Sequence, residues 1–329
     1  MAHELEIKNG QAQMFSVRET PWHKLGNIVE EAPTAAEAIK LAGLNWNIKE
    51  NPIAHLESLD MKADIKYVNI PKHKALVRDS DGSILAVMKN SYTVLQNQEA
   101  FNFFNPFVQA EQASFETAGS LKGGRIIWAM AKLNKAPIEV GKGDEVNKYL
   151  LLSNSHDGSI SVRVGFTPVR VVCQNTLTLA SNHSSSQIIK LRHSKSVKDR
   201  LDNVQEMVNA IDSQFEATAE QYKYLSSKVI NKEQFEKFVK IVFKTNADQS
   251  ERSKMRHDSI LETISKLFEN GAGAHLKSAK GTRWGAYNAV TEYLTHEHGN
   301  NEENRLHSNW YGQANNINKM AFSTLVKGL

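Results

Sequence analysis

The chain has 329 residues, 40% of them hydrophobic and 23% charged, enough apolar material for one large core or two modest ones and too much for wholesale disorder. No apolar run approaches the roughly 20 residues needed to cross a bilayer, and the opening MAHELEIKNGQAQ has no secretory apolar segment, so a cytoplasmic protein is expected. The single cysteine, Cys173, excludes an internal disulfide and a thiolate-rich zinc site, and a formal charge of +4 is too mild to name a polyanionic partner by itself.

Residues 1–33 read as an N-terminal arm. Thr34, preceded by Pro33 and followed three positions on by Glu37, spells a capping box for a short helix that Gly43 stops. Asn45 to Pro52 reads as a strand. Lys74 to Arg78 and Ile84 to Met88 flank Asp79-Ser80-Asp81-Gly82, a hairpin, because Asp-Gly accepts the positive φ of a tight turn. Phe101, Phe104 and Val108 recur at helical spacing and predict one core-facing helix over Asn97 to Ala110.

From Ser114 to Cys173, turns at Leu121 to Gly124, Gly141 to Asp144 and His156 to Gly158 separate apolar runs and predict a twisted antiparallel sheet. In Ser159 to Phe166 the alternation puts Ser161, Arg163 and Gly165 on the polar face. Asn175 to Ala180 looks helical and Asn182 to Ser186 loop-like. Val197, Leu201, Val204, Val208, Ile211 and Phe215 predict a long amphipathic helix over Ser196 to Ser227, with further helices at Lys232 to Val242, His257 to Phe268, Arg283 to Thr295 and Asn315 to Val326. The expected fold class is α+β: a twisted antiparallel β-sheet with packed helices over 34–200, then an all-α C-terminal part over 201–329.

The chain holds no P-loop lysine motif, no nucleophile elbow, no paired H-E-x-x-H and no dinucleotide fingerprint after a strand. Gly119 to Gly124 is glycine-rich, but its place between two strands makes it a hairpin turn rather than a phosphate cradle. His156-Asp157, with His183 or His193, has the chemistry of a general base or a metal site. Asp157-Gly158 closes a hairpin whether or not His156 acts. Cys173, after Val171-Val172, reads as a buried inert thiol. Trp22-His23 reads as an aromatic anchor for the arm, with partner contact as the alternative, and Trp284, Tyr287 and Tyr293 read as core.

The basic residues are placed where packing does not call for charge. Leu121 to Arg200 holds 13 Lys and Arg against five Asp and Glu. Arg163 lies on the polar face of a strand, Arg170 follows Pro168-Val169, Lys122 and Arg125 flank a turn, and Lys190, Arg192, Lys195, Lys198 and Arg200 gather where sheet gives way to helix. Such cations along a groove would neutralise phosphates, with Trp128 or Phe166 stacking on bases. The plainer reading is a solvated surface helix.

Thr167-Pro168-Val169-Arg170-Val171-Val172-Cys173-Gln174-Asn175-Thr176-Leu177 resembles the signature of the phage/plasmid-like family built on domain of unknown function 932. Three more segments agree with it: Thr20 to Gly26 around Trp22 and His23, Tyr149 to Gly158 around His156 and Asp157, and Gly281 to Val290 around Trp284 and Asn288. The resemblance implies a mobile-element protein of DNA metabolism. A weaker likeness, to phage single-strand annealing proteins, implies rings of subunits and transfers no residue.

The expectation is therefore a non-enzymatic, cofactor-free protein that binds single-stranded DNA and anneals complementary strands within a homo-oligomer, alongside replication or recombination proteins. Lys122, Arg125, Arg163, Arg170, Lys190, Arg192 and Lys195 would hold the phosphates. The rivals are a metal-assisted nuclease using Asp157, His156 and a further acidic residue, and a protein that binds a host defence factor through the Trp22-His23 arm or the C-terminal helices.

Overall fold

The structure, a computed structural model, describes residues 5–18, 26–57, 66–170, 188–207, 212–244, 250–299, 308–310 and 312–328, with backbone only for 204–207 and 212–214. Within them the alternating apolar runs form the strands β1 (Ile7–Lys8), β2 (Gln11–Ala12), β3 (Met14–Val17), β4 (Asn27–Val29), β5 (Ile48–Leu56), β6 (Tyr67–Arg78), β7 (Ile84–Lys89), β8 (Ala113–Leu121), β9 (Ile126–Leu133), β10 (Ile138–Gly141), β11 (Asp144–Ser155), β12 (Val162–Arg170) and β13 (Ile188–Leu191). The helices are α1 (Ala35–Leu41), α2 (Asn97–Asn102), α3 (Asn105–Gln109), α4 (Val197–Met207), α5 (Asp212–Ser227), α6 (Lys232–Val242), α7 (Glu251–Asn270), α8 (Arg283–His296) and α9 (Gln313–Lys327).

Eight strands form the main sheet, in the order β13-β12-β11-β9-β8-β3-β4, with β10 beside β11. Its pairs are antiparallel except β3 with β4, which run parallel. Met14–Val17, assigned from the sequence to an arm, is thus a strand of this sheet, paired with β8. Strand β11 is flanked by β9 and β12 and buried on both faces from Tyr149 to Ser155, which is why its apolar run is nearly continuous. The Asp-Gly hairpin stands as expected, joining β6 to β7 in a three-stranded sheet with β5.

Thr34 caps α1 through the predicted capping box: its side chain accepts from Glu37 N while Glu37 Oε2 accepts from Thr34 N at 2.9 Å. The Asn97 to Ala110 stretch is two short helices rather than one, because Asn105-Pro106 starts a new helix with proline in its first turn. The aromatic stripe still packs as read: Phe101 and Phe104 lie against Phe115, with ring centroids 5.9 and 5.0 Å apart.

One face of the sheet, carrying Ile127, Ala129, Leu150, Leu152, Val162 and Val164, packs into the large core shared with the helices. The opposite face, with Trp128, Met130, Tyr149 and Leu151, forms a smaller cluster covered by Trp310. The C-terminal part is helical, α5 to α9, around α8, which buries ten of its 14 residues, Trp284, Tyr287 and Tyr293 among them. Gly285 lets α8 approach the preceding turn: a Cβ there would fall 2.0 Å from the Ala279 carbonyl oxygen. No helix among the described residues is long and apolar enough to cross a membrane.

Candidate nucleic-acid interface

The sheet register decides which basic residues meet. Ile126 pairs with Ser155 and Val162 with Leu191, so the β8–β9 turn, the β11–β12 connection and the exit from β13 share one end of the sheet. Lys122, Arg125, Arg192 and Lys195 belong to those connections. Just inside them, one cross-strand row runs Trp128, Ser153, Arg163, Lys190. Directly paired residues project to the same face, so Arg163 and Lys190 stand together on the face that Trp310 covers at Trp128. Lys319 of α9 joins them: partial burial, then the like charges of Lys190 and Arg163, hold its ammonium below its ordinary pKa.

Several of the cations at this end have no carboxylate within ion-pair distance among the described residues. Lys74 is paired with Glu50, Arg78 with Glu6, and Lys198 with Glu99. Among the described residues Lys89, Lys190, Arg192, Lys195 and Lys319 pair with no carboxylate. Arg125 is exposed but donates through Nε to the Leu85 carbonyl at 3.1 Å, and Lys122 is half-buried in a positive-φ turn.

Beside this end lies a cleft of about 390 Å³ between the two sheets, lined by Met88, Lys89, Tyr92, Gly158, Ile160 and Arg192, with Ser91, Ser161 and His193 completing the wall. Its two sides are tied together. Thr93 N donates to the His193 carbonyl at 3.2 Å, His193 Nδ1 lies 3.3 Å from the Thr93 carbonyl, and the His193 ring stacks on Tyr92 at 4.6 Å and 22°. Tyr92 Oη donates to the Ser155 carbonyl at 2.7 Å; burial, then the charge of Asp157, raises its pKa and keeps the phenol protonated. Burial also lowers the His193 pKa and favours the neutral ring.

Arg170 is not part of this interface and must be removed from the expected phosphate-binding set. It lies at the far end of β12, fully buried, and grips Asp144 through Nε at 2.7 Å and Nη2 at 2.8 Å. Asp144 also accepts from Ser278 Oγ at 2.6 Å and Trp284 Nε1 at 2.9 Å. Burial disfavours the Asp144 charge, yet the Arg170 hydrogen bonds and charge, with those of Ser278 and Trp284, outweigh it and hold the carboxyl below its usual range. The motif arginine and the motif tryptophan thus meet on one carboxylate and lock sheet to helices.

The sheet aromatics are likewise unavailable for bases. Trp128 lies under Trp310, ring centroids 5.0 Å apart, and Phe166 under Phe215 at 5.9 Å. Among the described residues, Trp128 Nε1 and Ser153 Oγ are buried with no hydrogen-bond partner.

His156 is 1% exposed, its Nε2 is 2.9 Å from Asn97 Oδ1, and its ring meets Trp46 edge-on. Burial, then the nearby charges of His193 and Arg78, pull its pKa down to about 3, so it is a neutral core group. Asp157 Oδ1 accepts from Ser159 N at 2.9 Å, closing the turn. No group of three His, Cys, Asp or Glu side chains able to hold a metal occurs among the described residues. Asn288 sits within α8 with Nδ2 donating to the Trp284 carbonyl at 2.8 Å. Trp22, His23, Cys173, Asn175 and His183 lie outside the described residues.

Lys89, Tyr92 and Lys319 were not singled out from the sequence. Lys89 ends a hairpin strand and Lys319 stands in a helix, and nothing local marks either as a neighbour of β13. The polar run Lys89-Asn90-Ser91 at the end of the hairpin is the signal the sequence holds.

The family model described as Domain of unknown function (DUF932) matches residues 84–310, and the chain belongs to that family. Neither a curated protein nor a solved structure matches it.

Proposed function

We propose that this DUF932 protein binds single-stranded DNA at the basic end of its main sheet, without chemistry or a cofactor of its own. The observation that carries this reading is the gathering of Arg163, Lys190, Arg192, Lys195, Lys89 and Lys319 around one sheet end and its cleft, five of them without a carboxylate partner among the described residues. Like charges held close destabilise one another until a polyanion arrives, and a nucleic-acid backbone is the common polyanion that tracks such a strip. A single strand suits the site better than a duplex, because the cleft beside the cations offers an apolar surface on which an unpaired base can stack. In a phage or plasmid setting, the role is recombination or replication, with complementary strands annealed by a homo-oligomer. Arg170 supports the fold of this site from a distance and contacts no phosphate.

The test is a titration of labelled oligonucleotides over a salt series. The logarithm of the affinity should fall linearly with the logarithm of salt, at about −0.7 per phosphate contacted, and single strands should compete better than duplex. Binding that is absent at low salt, or indifferent to salt, overturns the proposal.

A further inference from the structure

The cleft between the two sheets combines an apolar floor with a cationic rim. Met88 and Ile160 are apolar, the stacked Tyr92 and His193 rings are flat, and Lys89, at the end of β7, and Arg192, just after β13, both line it. Its walls are fixed rather than loose: the Thr93–His193 backbone bond, the Tyr92–Ser155 bond and the Ser155 Oγ bond to the Ile160 carbonyl at 2.6 Å hold the three segments together. At Gly158, whose φ is +70°, the Met88 Cε lies 2.7 Å from where a Cβ would be, so the methionine packs down onto the glycine and the two line the cleft together. Asp157, the acidic neighbour of Tyr92, is turned onto the Ser159 amide.

An apolar, preformed cleft of this size with a few polar groups at the rim fits a flat heterocycle, and cations flanking it fit the charge that such a ring carries when it is part of a nucleotide. We infer that this cleft takes one nucleobase of the bound strand against Met88 and the Tyr92–His193 pair, with the adjoining phosphates at Lys89 and Arg192. The inference rests on the single-strand reading above and adds to it a base contact that phosphate binding alone does not require. Ser91 and Ser161 supply hydroxyls at the wall, and among the described residues neither side chain has a hydrogen-bond partner, so they are placed to meet the edge of the base.

The experiment compares an oligothymidylate with an oligonucleotide of the same length and charge whose central residues are abasic, titrated against the full-length protein at one low salt concentration. Stacking on protein side chains is sequence-tolerant and lost with the base, so the abasic strand should bind about 5- to 150-fold more weakly. A Ser161→Phe variant, which fills the cleft from its wall, should bind both strands equally at the abasic level and keep the wild-type salt slope, its fold checked by circular dichroism. Equal, salt-dependent binding of the two strands by the wild-type protein overturns the base site and leaves the phosphate reading standing. Absence of any binding at low salt overturns both.

Discussion

Arg170→Met is the substitution that most sharply separates a structural from a binding role for the motif arginine. Its side chain is 1% exposed and that of Asp144 0%, so the variant leaves a carboxylate sealed in the core with Ser278 and Trp284 as remaining donors. Two charge-assisted hydrogen bonds at 2.7 and 2.8 Å are lost, together with contacts from Nη1 to the Ala272 carbonyl at 3.2 Å. Removing one partner of such a buried pair costs about 3–5 kcal/mol, a large part of an ordinary stability of about 5–15 kcal/mol. Urea unfolding followed by circular dichroism and tryptophan fluorescence should show that loss. Asp144→Asn should be similarly damaging, and the double variant less damaging than the sum of the two. Because the Asp144 pKa is lowered on folding, the stability it supplies is present above the ordinary aspartate range near pH 3.9 and disappears as pH falls below it; Arg170→Met should flatten that acid limb. The salt slope of DNA binding by the folded fraction should be unchanged. A stability loss under about 1 kcal/mol, or strict additivity, would refute this account of the clamp.

Replacing Lys190, Arg192 and Lys195 together with Gln should reduce the single-strand salt slope by about 2, at roughly 0.7 for each contact removed, with the urea midpoint unchanged. His156, pulled from 6.5 to about 3, binds its proton more readily in the unfolded chain, so stability should be full above pH 6.5 and fall by about 1.4 kcal/mol per unit as pH drops toward 3. His193 adds a fall of the same sign, and a His156→Gln variant should show a shallower slope in a pH series of urea midpoints. Gly285→Ala drives a methyl into the Ala279 carbonyl and should cost about 1–3 kcal/mol or more by the same measurement. Thr34→Ala removes the cap of α1 and should cost about 1 kcal/mol.

Local signals were legible where the chemistry is local. Thr34 with Glu37 gave the helix start, Asp81-Gly82 gave the hairpin, and Arg283 to Thr295 was read to within a residue of α8. The break at Asn105-Pro106 was also written in the sequence, but the Phe101, Phe104, Val108 stripe continues across it because both short helices face the same core. Arg170 misled because a charge following Pro168-Val169 looks solvent-facing until the register is known. Pairing of Val146 with Arg170 brings Asp144 within reach, and Ser278 and Trp284 arrive from more than 100 residues away. The proposed interface is half legible for the same reason. Arg163 and Lys190 could be named as surface cations, but only strand pairing makes them neighbours, and only the packing of α9 adds Lys319.

Photocrosslinking of a single-stranded oligonucleotide to the full-length protein, with the modified peptides mapped by mass spectrometry, tests most directly where the strand runs. Crosslinks should concentrate in the segments Met88 to Tyr92 and Ile188 to Lys195, with Lys319 near them. Crosslinks gathered instead at the opposite end of the sheet, around the β10–β11 turn and Arg170, would contradict the account.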